Sequence, residues 1–148
     1  MKNLLLILAL FVVGCATTQV EREFTTISGH PEVTIDAPIE DITSYILEIL
    51  IDKNYMITNQ TPNLLELERP LTDGEEFTVS LLLGNSYSNN SRISKINFIK
   101  TPNGTRLIWR QFYKAVMPLG NVNQQEIMNN NMFNEIMYVL QEMKFNLE

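Results

Sequence analysis

Between Tyr55 and Val116 the chain repeats one pattern: short runs in which apolar and polar residues alternate, each closed by a turn signal. Period-two alternation turns one face of a strand to a core and the other to water, so this stretch predicts an antiparallel sheet. In "NLLELER" Leu65 and Leu67 alternate with Glu66 and Glu68, and "TPN" separates this run from "YMITNQ". "PLTDGEE" reads as a polar loop, and "FTVSLLLG" as a strand with Phe77, Val79, Leu81 and Leu83 on one face. "NSYSNNS" reads as a loop or wide hairpin turn. "RISKINFIK" follows, with Ile96 and Phe98 on one face and Ile93 and Ile99 on the other. "TPNGT" holds Asn103-Gly104, the strongest short hairpin signal, so "RLIWRQFYKAV" completes an antiparallel pair that Pro118 and Gly120 end.

Helical spacing brackets these strands. Val33-Thr34-Ile35 is a short strand, after which Ile39, Ile42, Ile46, Ile49 and Leu50 recur at helical period. A helix is predicted from about Pro38 to Lys53, with Pro38 in its first turn and Asn54 as a left-handed cap. Near the C-terminus an Asn-rich stretch keeps an apolar stripe through Ile127, Phe133, Ile136, Met137, Leu140 and Met143. It predicts an amphipathic helix from about Asn131 to Asn146, with an earlier turn at Gln124 to Asn129, and its methionines read as core. The fold class is therefore α+β, in the order β-α-β-β-β-β-β-α. A curved antiparallel sheet packs against an N-terminal and a C-terminal helix.

The N-terminus carries a different message. Lys2 precedes an unbroken apolar run, Leu4 to Val13, and Gly14-Cys15 follow. A positive start, a short apolar core and a small residue at its end are the plan of a secretory signal. Ten apolar residues fall short of the roughly 20 that a membrane-spanning helix needs. Cys15 is the sole cysteine, which excludes an intrachain disulfide and any CxxC site. Residues 16–31 are polar and weakly patterned, as a tether would be, and the only histidine, His30, reads as an exposed tether residue.

Val12-Val13-Gly14-Cys15 resembles the bacterial lipobox. That resemblance implies cleavage after Gly14, a diacylglyceryl group on the Cys15 sulfur and an acyl chain on its new amino group. Two or more chains anchor stably where one does not. The organisation is then a cleaved signal at 1–14, the lipidated Cys15 and flexible tether at 15–31, and one α+β domain at 32–148. By analogy with envelope sorting, Ala16 after the cysteine favours the inner leaflet of the outer membrane over the inner membrane.

From Val33 onward the chain also resembles a loosely defined family of small bacterial and phage-associated lipoproteins. The residues carrying this are "APIEDITSYILEILIDKNYMI", "NLLELERP", "LLLGNSYSNNSRISKINF", "NGTRL" and the final amphipathic helix. At fold level the plan is similar to the helix grip, used by envelope lipoprotein domains such as those of BamC. The resemblance implies an envelope location and carries over no catalytic residue.

The net charge is −6, or −7 once Lys2 leaves with the signal. An acidic chain with no dense basic patch argues against nucleic acid and against electrostatic binding to anionic lipid. With one histidine a His-rich metal site is excluded, and with that histidine in the expected tether a His-paired nucleophile is not expected either. Asp73, Glu75 and Glu76 cluster without the spacing of a calcium loop and read as a solvated acidic loop. No glycine pattern cradles a phosphate. The candidate ligand or partner surface is Trp109 with Arg106 and Arg110. Trp109 shares a face with Leu107 and also reads as core, while Arg106 and Arg110, beside Lys114, also read as partners of Glu66 and Glu68.

These features favour a membrane-anchored envelope lipoprotein that is not an enzyme, needs no cofactor beyond its covalent lipid, and interacts with envelope proteins. Two other readings stand beside it. One is a carrier of lipid or a small apolar ligand in a cavity between the sheet and the C-terminal helix. The other is a phage-type superinfection-exclusion or immunity lipoprotein.

Overall fold

The computed structural model describes residues 20–83, 88–116 and 120–148, with backbone only for 81–83, 88 and 89. The signal, Gly14 and the lipidation site at Cys15 lie outside the described residues, as do Asn85 to Tyr87 of the expected loop and Pro118. The elements are β1 (Glu32–Ile35), α1 (Ile39–Ile51), β2 (Met56–Thr61), β3 (Leu64–Pro70), α2 (Asp73–Leu83), β4 (Ser88–Thr101), β5 (Gly104–Val116), β6 (Val122–Glu126) and α3 (Asn130–Leu147). The α+β plan holds: an open six-stranded antiparallel sheet with an N-terminal and a C-terminal helix.

The strand order is β1-β5-β4-β3-β2, and β6 also pairs with β5. β1 takes Thr105 to Ile108 of β5, and β6 takes Phe112 to Val116 of the same edge. Both hairpins β2–β3 and β4–β5 turn on Thr-Pro-Asn, with Thr61 paired to Leu64 and Thr101 to Gly104. The second turn is therefore centred on Pro102-Asn103, one residue before the expected Asn-Gly centre. Pro102 suits the first corner, and Gly104 follows at φ +113°. A Cβ on Gly104 would collide with the Ile35 carbonyl oxygen and lie 2.8 Å from Asp36 Cα, so the hairpin passes β1 where only glycine fits.

α1 and α3 lie on one face of the sheet. Their buried residues, Ile42, Ile46 and Leu50 on one and Phe133, Met137, Leu140 and Met143 on the other, join Ile35, Leu65, Leu67, Ile96, Phe98, Leu107 and Trp109 in one core. α1 ends in a Schellman turn. Asn54 takes φ +62°, its N–H reaches the Ile51 carbonyl at 2.9 Å, and the Tyr55 N–H reaches Leu50 at 3.1 Å. The Asn129 side chain caps α3 by accepting from the Met132 N–H at 2.9 Å.

Four further expectations are corrected. "DGEEFTVSLLL", Asp73–Leu83, is a helix, not a loop and strand. Thr72 and Glu75 form one half of a T-x-x-E capping box, with the Thr72 N–H on Glu75 Oε2 at 2.9 Å. Helical rather than strand geometry then separates the faces of Phe77 and Val79: the first is exposed, the second fully buried. Residues 122–126 form β6 instead of a helical turn, because the β5 edge beyond β1 was open and Gly120, at φ +82°, turns the chain back onto it. The expected tether is also occupied further toward the N-terminus. Val20 to Phe24 run along α3, where Asn130 Nδ2 donates to the Val20 carbonyl, and Asn134 binds both the Glu21 carbonyl and the Glu23 N–H. His30 is half-buried rather than exposed, since the Pro31 carbonyl already accepts from the Trp109 N–H at 2.9 Å and draws residue 30 onto the sheet.

Candidate functional site

The inner face of the sheet changes character along its length. Leu65, Ile96 and Trp109 stand side by side in one row across β3, β4 and β5. The next row is Leu67, Ser94 and Gln111, and the next is Arg69, Arg92 and Tyr113. Strand alternation places all nine on one face, so this face runs from apolar to cationic. Arg69 and Arg92 are direct cross-strand partners, an arrangement of like charges that is unfavourable unless an anion intervenes.

Glu75, from the first turn of α2, supplies that anion. Arg69 grips it through two bonds of 2.9 and 2.8 Å, and Arg92 Nη1 donates to the same carboxylate at 2.8 Å. Thr72 adds its amide at 2.9 Å and its hydroxyl at 3.1 Å. Partial burial alone would raise the Glu75 carboxyl. The Arg69 fork, the Thr72 amide and Arg92 outweigh that and bring it down to about 2. The acidic cluster at 73–76 thus has its central carboxylate enclosed by arginines, which corrects its reading as a solvated loop. Among the described residues no group of three or more His, Cys, Asp or Glu side chains could hold a metal ion.

The cationic row leads into a hydrogen-bond chain. Arg92 Nε donates to Gln111 Oε1 at 2.9 Å, Gln111 Nε2 donates to Ser94 Oγ at 3.1 Å, and Trp109 Nε1 donates to the same hydroxyl at 2.6 Å. The remaining Arg92 nitrogen, Nη2, has Met132 Sδ at 3.1 Å, a weak acceptor for a guanidinium. Arg69 also lies over the Tyr55 ring, 5.3 Å from its centroid.

Beside this floor opens a cleft of about 600 Å³, within the range of small-molecule sites. Ile49, Leu50 and Lys53 at the end of α1 form one wall, and Met132, Glu135, Ile136 and Val139 of α3 the other. Pro70, Leu71 and Thr72 close a third side, over Tyr55, Arg69, Arg92, Trp109 and Gln111. The cleft is open to solvent. The space directly between α3 and the sheet, where an enclosed carrier cavity would sit, is taken by buried Phe133, Met137 and Leu140.

The sequence-derived surface divides between two faces. Trp109 is buried on the inner face and lines the cleft, while Arg106 and Arg110 stand on the outer face. Arg106 pairs with Glu32 of β1 at 2.5 Å, and Arg110 holds Glu126 of β6 at 2.9 and 2.5 Å. Lys114 reaches Glu68 at 2.9 Å, and Lys95 reaches Glu66 at 3.2 Å. The basic stripe is thus neutralised by carboxylates, but only Lys114 takes one of the two expected. β4 lies between β3 and β5, and its Lys95 claims Glu66 first. Arg110 is the largest cause of the lowered Glu126 carboxyl. Burial pushes Glu68 upward, but hydrogen bonds from Ser91 and Lys114 outweigh it and lower it overall.

Arg69, Arg92, Glu75 and Gln111 were not singled out as site residues from sequence. The available signal was phase: Arg69 continues the Leu65-Leu67 face, and Arg92 the Phe98-Ile96 face, where a solvated arginine would fall out of step. Comparison with protein-family models, curated proteins and solved structures finds no match for the chain. Among the described residues no helix is long and apolar enough to cross a membrane.

Proposed function

We propose that this chain is a lipid-anchored lipoprotein of the bacterial cell envelope, whose domain is a non-enzymatic binding module with the inner-face cleft as its binding site. The observation that carries the binding role is the cleft itself: apolar walls over a fixed polar floor, the usual composition of a ligand site. The carboxylate nearest that floor, Glu75, is held ionised by two arginines, which suits a structural anion better than a general acid or base near neutral pH. An open cleft suits capture of an exposed group better than enclosed carriage. The anchor rests on Val12-Val13-Gly14-Cys15.

Metabolic labelling with a fatty-acid analogue tests the anchor. Wild type is expected to carry label and partition with membranes, and Cys15→Ser to lose both. Unchanged labelling in the variant would remove the anchor. Pull-down from membranes tests the module. Val139→Glu places a charge in the cleft wall and is expected to release what wild type retains, whereas retention of the same components would overturn the cleft as the site.

A further inference from the structure

Charge counting around the cleft leaves a remainder. Arg69, Arg92 and Lys53 are the cations, and Glu75 and Glu135 the anions, so one positive charge is uncompensated. Lys53 at the rim has no ion-pair partner among the described residues. Deeper in, Arg92 is fixed by Glu75 and Gln111, while among the described residues its Nη2 faces only a thioether sulfur. A guanidinium oriented in this way, with a strong donor left on a weak acceptor, is prepared for an oxygen anion.

We propose that the cleft binds a small aliphatic carboxylate, its head on Arg92 Nη2 and Lys53 and its chain along Leu71, Ile136 and Val139. This inference rests on the reading of the cleft as a binding site. The excess of one charge selects a monoanion over a phosphate dianion. With Nε and Nη1 already engaged, Nη2 offers one charge-assisted hydrogen bond, which suits a carboxylate oxygen, and the apolar walls favour a head that carries a chain. Met132, an unbranched and adaptable side chain, is the group that the head displaces from Nη2.

Trp109 is the only tryptophan in the chain and lines the cleft, so its emission reports occupancy directly. The full-length chain, reconstituted in phosphatidylcholine vesicles, is titrated with decanoate and with decanol, using protein-free vesicles to correct for partition into lipid. Decanoate is expected to shift the Trp109 emission saturably and to bind about tenfold or more tighter than decanol, the step expected of a charge-assisted hydrogen bond. Arg92→Gln is expected to erase that preference, so that decanoate and decanol bind with similar affinity. Lys53→Gln, at an exposed position that leaves folding intact, is expected to weaken decanoate about threefold, as loss of a solvent-exposed charge contact would. Equal affinity for decanoate and decanol would overturn the carboxylate assignment while leaving the cleft as an apolar site. No saturable response to either probe would overturn the cleft reading itself.

Discussion

At the scale of single residues, the molecule turns on Glu75. One carboxylate separates two arginines that the sheet sets directly opposite each other, and it also closes the first turn of α2. Its folded-state value, about 2, lies below the ordinary 4.5, so the folded state binds its proton less readily than the unfolded chain. The stability this confers is fully present above about pH 4.5 and is lost as pH falls toward about 2. Glu75→Gln is therefore expected to cost about 3 kcal/mol at pH 7, the order found when one partner of a largely buried ion pair is removed. Its deficit against wild type should shrink through that acid window, read by urea unfolding at pH 7, 4 and 3. A deficit that stays constant with pH would show that Glu75 contributes packing and not charge.

At the scale of elements, α2 shows how local chemistry overrode an alternating pattern. Phe77, Val79, Leu81 and Leu83 do alternate, but Thr72-Asp73-Gly74-Glu75 carries a helix-start signature just before them. Thr72→Ala is expected to lose about 1 kcal/mol and about 4 °C of melting temperature, with Thr72→Ser restoring both. An Ala variant as stable as wild type would mean that the Glu75 ion pairs alone hold the helix start. Elsewhere the sequence was legible where one physical signal dominated. Ile42, Ile46 and Leu50 drew α1, Asn54 marked its cap, and Leu107 with Trp109 marked the buried face of β5. β6 was not legible, because Val122 to Glu126 is mostly polar and is a strand only through the open edge of β5. The cleft was legible only in part. Trp109 was visible as an aromatic in phase with the core, but Arg69 and Arg92 gain meaning only once β3 and β4 are paired and α2 brings Glu75 to them.

At the scale of the whole molecule, the decisive contact is between the first described segment and the C-terminal helix. Val20 to Phe24 lie along α3, with Arg22 stacked on Phe133 at 4.3 Å, Phe24 edge-on to Tyr138 at 5.1 Å, and Asn130 and Asn134 binding the backbone. The Asn-rich composition of α3, which at first sight suggests low complexity, is therefore put to use: Asn129 caps the helix, and the next two asparagines on the same face hold the N-terminal segment. On the proposed anchor at Cys15, four residues separate the lipidated cysteine from Val20, a span of at most about 18 Å over five Cα steps. The start of α3 would then be kept close to the bilayer, and the fold, rather than a long tether, would set how the domain faces the periplasm. Asn134 is the clamp to test, since it is almost fully buried and makes two of these bonds. Asn134→Ala is expected to free the segment and speed tryptic cleavage after Arg22 about tenfold, the ratio that corresponds to about 1.4 kcal/mol of local opening. The core should keep its melting temperature to within a few degrees, because Asn134 binds only the segment. Unchanged cleavage at Arg22 would show that Phe24 and Arg22 hold the segment without the clamp. A collapse of the melting temperature would show that segment and core form one cooperative unit.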